Sequence, residues 1–432
     1  MPFRLVNSEN FIYDELDGPI KGKDNEMLYG SVLAPFAVKS GDRNREDESE
    51  KTDNRTVFQR DRDRIIHSAA FRRLMYKTQV FANHAGDHFR TRLTHTLEVA
   101  QIARGVCKSL ALNEDLAEAI ALGHDLGHTP FGHAVEKFFD TKFKKNISEE
   151  ERKLNKEKLT PLGFEYKAFC HNEQSIRIVE ELEQRKENEK GLNLSQEVKE
   201  GILKHTKDRS DLTSRLNPDR ECSHLEGQIV KQVDTITYIC HDLEDAIKAG
   251  IIHKNYIENP NFKEEFDSIT GVISEWIKEE ITFELYKEIF FVRNLIRHFV
   301  EDLTNHTFES IRSNGINQLS DVAAVNKMIA SLSSNTFSYL EMLKVFAYKH
   351  IYKSHTVSLM DFKAKKVVSE MYAAFLKNPK LMPPKWYYKV ELAGSDDTEI
   401  MKVVCDYISC MTDRFAIDEH DRLFDAKMKL WG

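Results

Sequence analysis

Helix-breaking residues are scarce along this chain, with 18 glycines and 10 prolines spread over 432 positions. Glycine supplies left-handed turns and proline ends helices and central strands, so such a chain is built from long uninterrupted segments. That excludes a collagen-like repeat, low-complexity disorder and a loop-rich all-β chain. Apolar residues make up 41% of the sequence, enough at this length to bury a substantial core without disulfides or a structural metal. The length suits two or three domains, or one large helical unit with additions. Six cysteines (Cys107, Cys170, Cys222, Cys240, Cys405, Cys410) are scattered with no CxxC pair. That argues against a zinc ribbon and a disulfide framework, and for a reducing, cytoplasmic setting. The start, MPFRLVNSEN, lacks a basic-then-apolar signal pattern, and no run of 18 apolar residues occurs, so no membrane partner is expected. A formal charge of −8 carries no global nucleic-acid footprint.

The period of apolar residues is helical from Arg55 to Glu136, again over 197–253, and over 260–375. The expectation is an all-α fold with an N-terminal arm and connector at 1–54, a catalytic helical core at 55–300 and a helical C-terminal region at 301–432. A charged insert, DTKFKKNISEEERKLNKEKL, interrupts the core near 140–160, and a polar stretch at 183–191 separates two helical patterns. The segment NPKLMPPKWYYKVEL at 378–392 reads as the most strand-like or irregular piece; its aromatic residues suit an interface or a core equally.

Histidine is the residue that breaks this monotony. Ten of the 17 histidines fall between His84 and His241, six of them between His84 and His133. Thr94 reads as the N-cap of a helix opened by His95, which shares a face with Val99, Ile102 and Val106 and so points inward. Asn113 caps a second helix, with Glu114 and Asp115 in its first turn, that runs into Gly123-His124-Asp125-Leu126-Gly127-His128. Adjacent residues of a regular helix point about 100° apart. His124 and Asp125 therefore address one ion only at a helix end, which Gly123 and Gly127 would loosen. Thr129 and Pro130 read as N-cap and first residue of a further helix, on which His133 and Glu136 share a face. In LEGQIVKQVDTITYICHDLEDAIKAG, Asp234, Tyr238 and Asp242 stack at the edge of the apolar stripe. A buried aspartate must be paired or bound to metal.

Imidazole and carboxylate together suit Mn, Fe, Zn or Ni as divalent ions, and Mg less well. His95, His124, Asp125 and Asp234 would supply four ligands and leave positions open for water and a phosphate oxygen, the layout of a catalytic site. Nine Lys/Arg against three Asp between Arg55 and Arg92 mark a region able to meet a polyanion, with Arg62 and Arg64 read as solvated and Arg92 within reach of a phosphate beside the metal.

His95, then GHDLGHTPFGH, then Asp234 resembles the H…HD…D signature of HD-domain phosphohydrolases. Around it FRRLMYKTQVF, TRLTHTLEVA, FCHNEQSIRI and YISCMTDRFAIDEHDRLF are similar to the deoxyguanosinetriphosphate triphosphohydrolase (dGTPase) branch, over about residues 55–430. The resemblance implies metal-dependent cleavage of a deoxynucleoside triphosphate, dGTP first among them, to deoxynucleoside and triphosphate, in control of the dNTP pool. It implies His95, His124, Asp125 and Asp234 as ligands of one divalent ion, with a Mg ion on the triphosphate. It implies His128, His133, Glu136 and His171 as the catalytic cluster, Arg92 as an α-phosphate contact, and Gln79, Tyr238 and Asp242 around the sugar, Tyr238 walling off a 2′-hydroxyl. Arg293 would meet the triphosphate. Val135 and Thr235 depart from the branch's pattern, which leaves base choice open. The residues also leave open which histidine is acid and which is base. The resemblance further implies a homo-oligomer, tetramer or hexamer, with dNTP or single-stranded DNA effectors. The competing readings are another HD nucleotidase or phosphodiesterase, and a nucleotide- or DNA-sensing scaffold without catalysis.

Overall fold

The structure, a computed structural model, describes residues 32–40, 54–81, 89–146, 169–186, 189–205, 221–277, 290–325 and 327–426. Most of the N-terminal arm, the charged insert beyond residue 146, and His84 and His88 lie outside the described residues.

Among the described residues the chain forms seventeen α-helices and one two-stranded hairpin. The first half carries α1 (Val57–Ile66), α2 (Ala69–Arg73), α3 (Arg92–Ser109), α4 (Glu114–Gly123), α5 (His133–Asn146) and α6 (His171–Arg177). After the hairpin β1 (Gln184–Lys186) and β2 (Glu189–Lys190) come α7 (Gln196–Leu203) and the long α8 (Leu225–Lys248). The rest is α9 (Ile251–Glu258), α10 (Pro260–Ile277), α11 (Phe290–Ser313), α12 (Leu319–Val325), α13 (Ser334–Ala347), α14 (His355–Lys377), α15 (Pro384–Ala393), α16 (Asp397–Ser409) and α17 (Asp413–Phe424). The all-α expectation holds, and no described helix is long and apolar enough to cross a membrane.

Helix α8 is the central post. Eighteen of its 24 residues are buried, and it packs against α3, α4, α7, α11 and α13. Its buried polar residues serve as ties. Glu226 Oε1 accepts the N–H groups of Val38 (3.0 Å) and Asn113 (3.1 Å), and Gln228 Oε1 accepts those of Ile329 (2.8 Å) and Ala330 (3.2 Å). Buried main-chain donors need such partners, since an orphaned one costs about 1–3 kcal/mol. One apolar cluster surrounds α8, from Ala37 to Val357; a second joins Val135, Phe139 and Phe169 to residues between Ala364 and Ala416. Helix α5 packs on α14 within the second.

Local expectations need correction at several points. The cap of α3 is Thr91, not Thr94. Thr91 Oγ1 accepts the Thr94 N–H while Thr94 Oγ1 accepts the Thr91 N–H, a reciprocal box that starts the helix at Arg92. Thr129 and Pro130 do not open α5. Phe131 and Gly132 both take positive φ (59° and 60°), so the chain turns there and the helix begins at His133. The stretch 378–392 is helical, a 3₁₀ turn and then α15, because its prolines stand at the N-cap or first position of each, where no N–H is needed. The polar stretch 183–191 folds into the hairpin. The basic surplus between Arg55 and Arg92 is largely spent within the fold. Arg62 pairs with Asp63, Asp115 and Glu118, Arg64 donates to the Leu192 and Asn193 carbonyls, and Arg90 meets Glu98, Glu244 and Asp245.

Candidate active site

Helices α3, α4 and α8 bring the H…HD…D residues together. His95 lies in the first turn of α3 and is buried, its Nε2 3.0 Å from Asp234 Oδ1 on α8. His124 caps the end of α4, and its Nδ1–H donates to the Ala121 carbonyl at 2.6 Å. Its Nε2 is thereby turned into the site, 3.3 Å from Asp125 Oδ1 and 3.5 Å from Asp234 Oδ1, yet without a hydrogen-bond partner. A buried ring nitrogen orphaned among two carboxylates and another imidazole is the donor set a divalent cation requires, and a carbonyl-anchored Nδ1 is the usual second contact of a metal-binding histidine. Ligand atoms of His95, His124 and Asp125 lie within 4.8 Å of one another. The residues therefore fit the implied ion.

The charges balance in the same sense. Burial opposes ionisation of Asp125, but His124, His128 and Arg92 outweigh it and hold the carboxyl well below its usual range. Burial likewise opposes the charge on Asp234, and the facing imidazoles of His124 and His95 pull it down. Burial disfavours protonated His124, yet the facing carboxylates hold the imidazole up to about 9, so a proton sits where a cation would. Arg92, buried, donates from Nη1 to Asp125 Oδ2 at 2.9 Å and lines the cavity.

Beside this centre stands a second group. Glu136 receives the Nδ1 of His133 (2.9 Å to Oε2) and the Nδ1 of His171 (2.9 Å to Oε1). His128 stacks on His171 with centroids 3.9 Å apart, and its Nε2 is 3.1 Å from Asp125 Oδ1. Burial, then Arg92 and His171, push the His128 imidazole well below its ordinary value, so it is neutral near pH 7. His133 alone of these is exposed, its side chain 66% accessible.

Both groups open into one cavity of about 2100 Å³. Gln79, Tyr238 and Asp242 line it, the Gln79 amide oxygen buried without a partner. Asp242 accepts a hydrogen bond from the Tyr352 hydroxyl, and burial pushes its carboxyl up to about 8 despite that bond. Arg293 is exposed on α11 and is not among the cavity's lining residues. Lys344, Lys353, Lys363 and Lys366 line the wall formed by α13, α14 and their junction.

Five further residues escape the sequence reading. His205, just past α7, reaches between the two groups, its Nε2 3.2 Å from that of His171. His241 on α8 sets its Nδ1 3.3 Å from the Nδ1 of His95 and its Nε2 against Glu98. Glu98 falls three residues after His95, a helical spacing that could have flagged it. Lys77, wholly buried, donates to the His128 carbonyl and, at 2.9 Å, to that of Ser409. Asp413 accepts the Thr78 N–H (3.0 Å) and the Phe131 N–H (2.9 Å), so α17 grips the turn that carries His128 and His133.

Comparison with known proteins agrees with this geometry. Residues 92–239 match the HD domain and residues 330–422 the phosphohydrolase-associated domain. A deoxyguanosinetriphosphate triphosphohydrolase-like protein of Geobacter metallireducens is 38% identical over 94% of this chain and 98% of its own. Proteins of the same description from Bordetella pertussis (39%; 93% and 99%) and Caulobacter vibrioides (37%; 93% and 98%) are comparable. Among solved structures a hypothetical protein from Aquifex aeolicus shares 15% identity over 85% of this chain and 72% of its own, with a TM-score of 0.33, too slight a likeness to bear on the fold.

Proposed function

The chain belongs to the deoxyguanosinetriphosphate triphosphohydrolase-like family of HD-domain phosphohydrolases, and from that premise we propose that it hydrolyses deoxynucleoside triphosphates, dGTP first among them, to deoxynucleoside and inorganic triphosphate. The observation that carries the reading is the abutment of the HD ligand set on the His128, His133, Glu136 and His171 group within one cavity. A divalent ion held by His95, His124, Asp125 and Asp234 would supply Lewis-acid stabilisation of charge on an α-phosphate oxygen. Arg92 would share that phosphate while holding Asp125. His133 presents Nε2 to the cavity because Glu136 takes its Nδ1–H. It can therefore accept a proton from the attacking water, Glu136 stabilise the imidazolium, and the same proton pass to the departing 5′-oxygen. Gln79 and Asp242 offer hydrogen-bonding atoms for the 3′-hydroxyl, and Tyr238 a wall at C2′. The cavity-lining lysines suit the triphosphate.

Chromatography of products from each dNTP, alone and mixed, tests the reading. Triphosphate and deoxynucleoside are expected; orthophosphate or pyrophosphate would overturn it in favour of another HD nucleotidase. His133→Ala is expected to keep its metal and lose at least 100-fold in kcat, the usual worth of a positioned acid–base group being ~10²–10⁴.

A further inference from the structure

The helix that brings His171 into the cavity cannot hold its own place. Helix α6 is seven residues long and begins at His171 itself. Its cap residue, Cys170, makes no side-chain hydrogen bond to the first turn, and a helix this short is marginal without tertiary contacts. Yet the ring it carries is set within narrow limits. His171 stacks on His128 with centroids 3.9 Å apart and an interplanar angle of 15°, although the two residues stand on different elements. One tie between those elements is direct. Ser175 Oγ accepts the Gly127 N–H at 2.8 Å and donates to the His124 carbonyl at 2.9 Å.

Further ties run through one short segment of the C-terminal region, from Asp406 in the last turn of α16 to Asp413 at the start of α17. Asp406 is buried and reaches α6. Its Oδ1 accepts from Gln174 Nε2 at 2.9 Å, and Arg177 brings Nε to 2.9 Å and Nη2 to 2.8 Å from Oδ2. Arg177 Nη1 meets Glu181 at 2.6 Å, so the guanidinium is held at both ends. Gln174 and Arg177 stand three and six residues after His171, and one carboxylate thus grips the short helix at two points. In the same turn as Asp406, the Ser409 carbonyl accepts from Lys77 Nζ at 2.9 Å, and that amine also donates to the His128 carbonyl. Asp413 takes the N–H of Phe131, in the turn after His128, and that of Thr78, next to Lys77. The segment therefore holds α6 on one side and the His128 turn on the other.

We propose that Asp406 is a positioning residue for His171, acting through Gln174 and Arg177, and that the α16–α17 junction sets the spacing of the His128–His171 stack. Stability alone does not account for a charge pair at this place. Desolvating two charges offsets most of their attraction, and apolar residues of similar volume often serve as well or better. What an arginine on a carboxylate adds is direction, since its planar fork fixes angle as well as distance. This role rests on the reading of His128 and His171 as members of the reacting group. It gives the C-terminal region, which matches the phosphohydrolase-associated domain, a part in aligning that group.

Ring positions can be read without any substrate, so failure here is separable from failure of the triphosphohydrolase reading, which product analysis decides. The whole protein, in Mg²⁺, is labelled with carbon-13 at histidine Cε1 and followed by NMR, with His128 and His171 assigned from their glutamine variants. Each of these rings lies in the ring current of the other, so their resonances report the stack. In Asp406→Asn, which keeps the shape and loses the charge, both are expected to move while those of His224 and His350 stay. Arg177→Lys keeps the charge and loses the fork; the same shifts are expected, and this variant decides should Asp406→Asn fail to fold. For dGTP, kcat should fall on the order of 10–100-fold with KM within about twofold, because a misplacement of about 1 Å costs about 100-fold in rate. Unmoved His128 and His171 resonances in a folded variant would overturn the proposal, and so would moved resonances with an unchanged kcat. A lower melting temperature with both resonances in place is the mark of a staple that only adds stability, and it overturns the positioning role as well.

Discussion

Gly127 is where the site's assembly is most sharply exposed to a single methyl group. The residue sits between Asp125 and His128, and its N–H donates to Ser175 Oγ at 2.8 Å on α6, the helix that carries His171. A Cβ there would lie 2.1 Å from the His171 carbonyl oxygen and 2.2 Å from the Ser175 nitrogen, where ordinary contact begins at 3.4 Å. Both neighbours are main chain, so no rotamer change relieves the clash, and α6 must recede from the turn by about 1 Å. Overpacking costs about 1–3 kcal/mol, and two backbone contacts place Gly127→Ala at the upper end. His171 moves with α6 while His128 stays with the turn, and a misplacement of about 1 Å costs on the order of 100-fold in rate. Gly105 is the control. It lies exposed within α3 with nothing within 4 Å of its Cβ position. There the same substitution removes only glycine's excess unfolded-state entropy and stabilises by about 0.5–1 kcal/mol. Chemical denaturation followed by circular dichroism, with turnover measured on the same samples, reads both. Gly127→Ala with stability within 1 kcal/mol of wild type and unimpaired turnover would refute the close-approach argument.

Two further tests probe the grip of the C-terminal region on the catalytic turn. Burial pushes the Lys77 ammonium down to about 7, whereas an unfolded lysine stays protonated to about 10.4. Unfolding thus takes up a proton between those values, and the Lys77 contribution to stability is lost as pH falls from about 10 to 7. The wild type should gain on Lys77→Met by about 1.4 kcal/mol per pH unit between pH 7.5 and 9.5 in paired urea titrations. A pH-independent difference would show that the amine is not held neutral by burial. Asp413→Ala leaves the N–H groups of Thr78 and Phe131 without their acceptor, at about 1–3 kcal/mol each. Lower stability and lower kcat with unchanged metal content are expected, since the ligands sit on other elements; an unchanged kcat would mean that α17 does not position the turn.

What could be read before folding was whatever a single helix or turn carries. The inward face of His95, the Asn113 cap and the i, i+3 pairing of His133 with Glu136 each depend on residues within one turn of one another. Helix caps at competing threonines were less legible, since Thr91 and Thr94 differ only in which hydroxyl lies outside the helix. His205 and His241 carried no local signal. Their place is fixed by crossings, α7 against α4 and α8 against α3. Gly123 reads in the sequence as a loosening of the helix end; with Gly201 it instead permits the first crossing. Gly123 and Gly201 are not joints in the backbone. A Cβ on Gly123 would meet Ile202 at 2.5 Å, and one on Gly201 would meet Ile120 at 2.5 Å. The two helices therefore touch through each other's missing side chains, and that contact sets the depth at which His205 enters between His124 and His171. The GHDLGH string is thus two statements at once. Its histidines and aspartate name the chemistry, and its glycines set the distance from which α6 and α7 can add their own histidines to it.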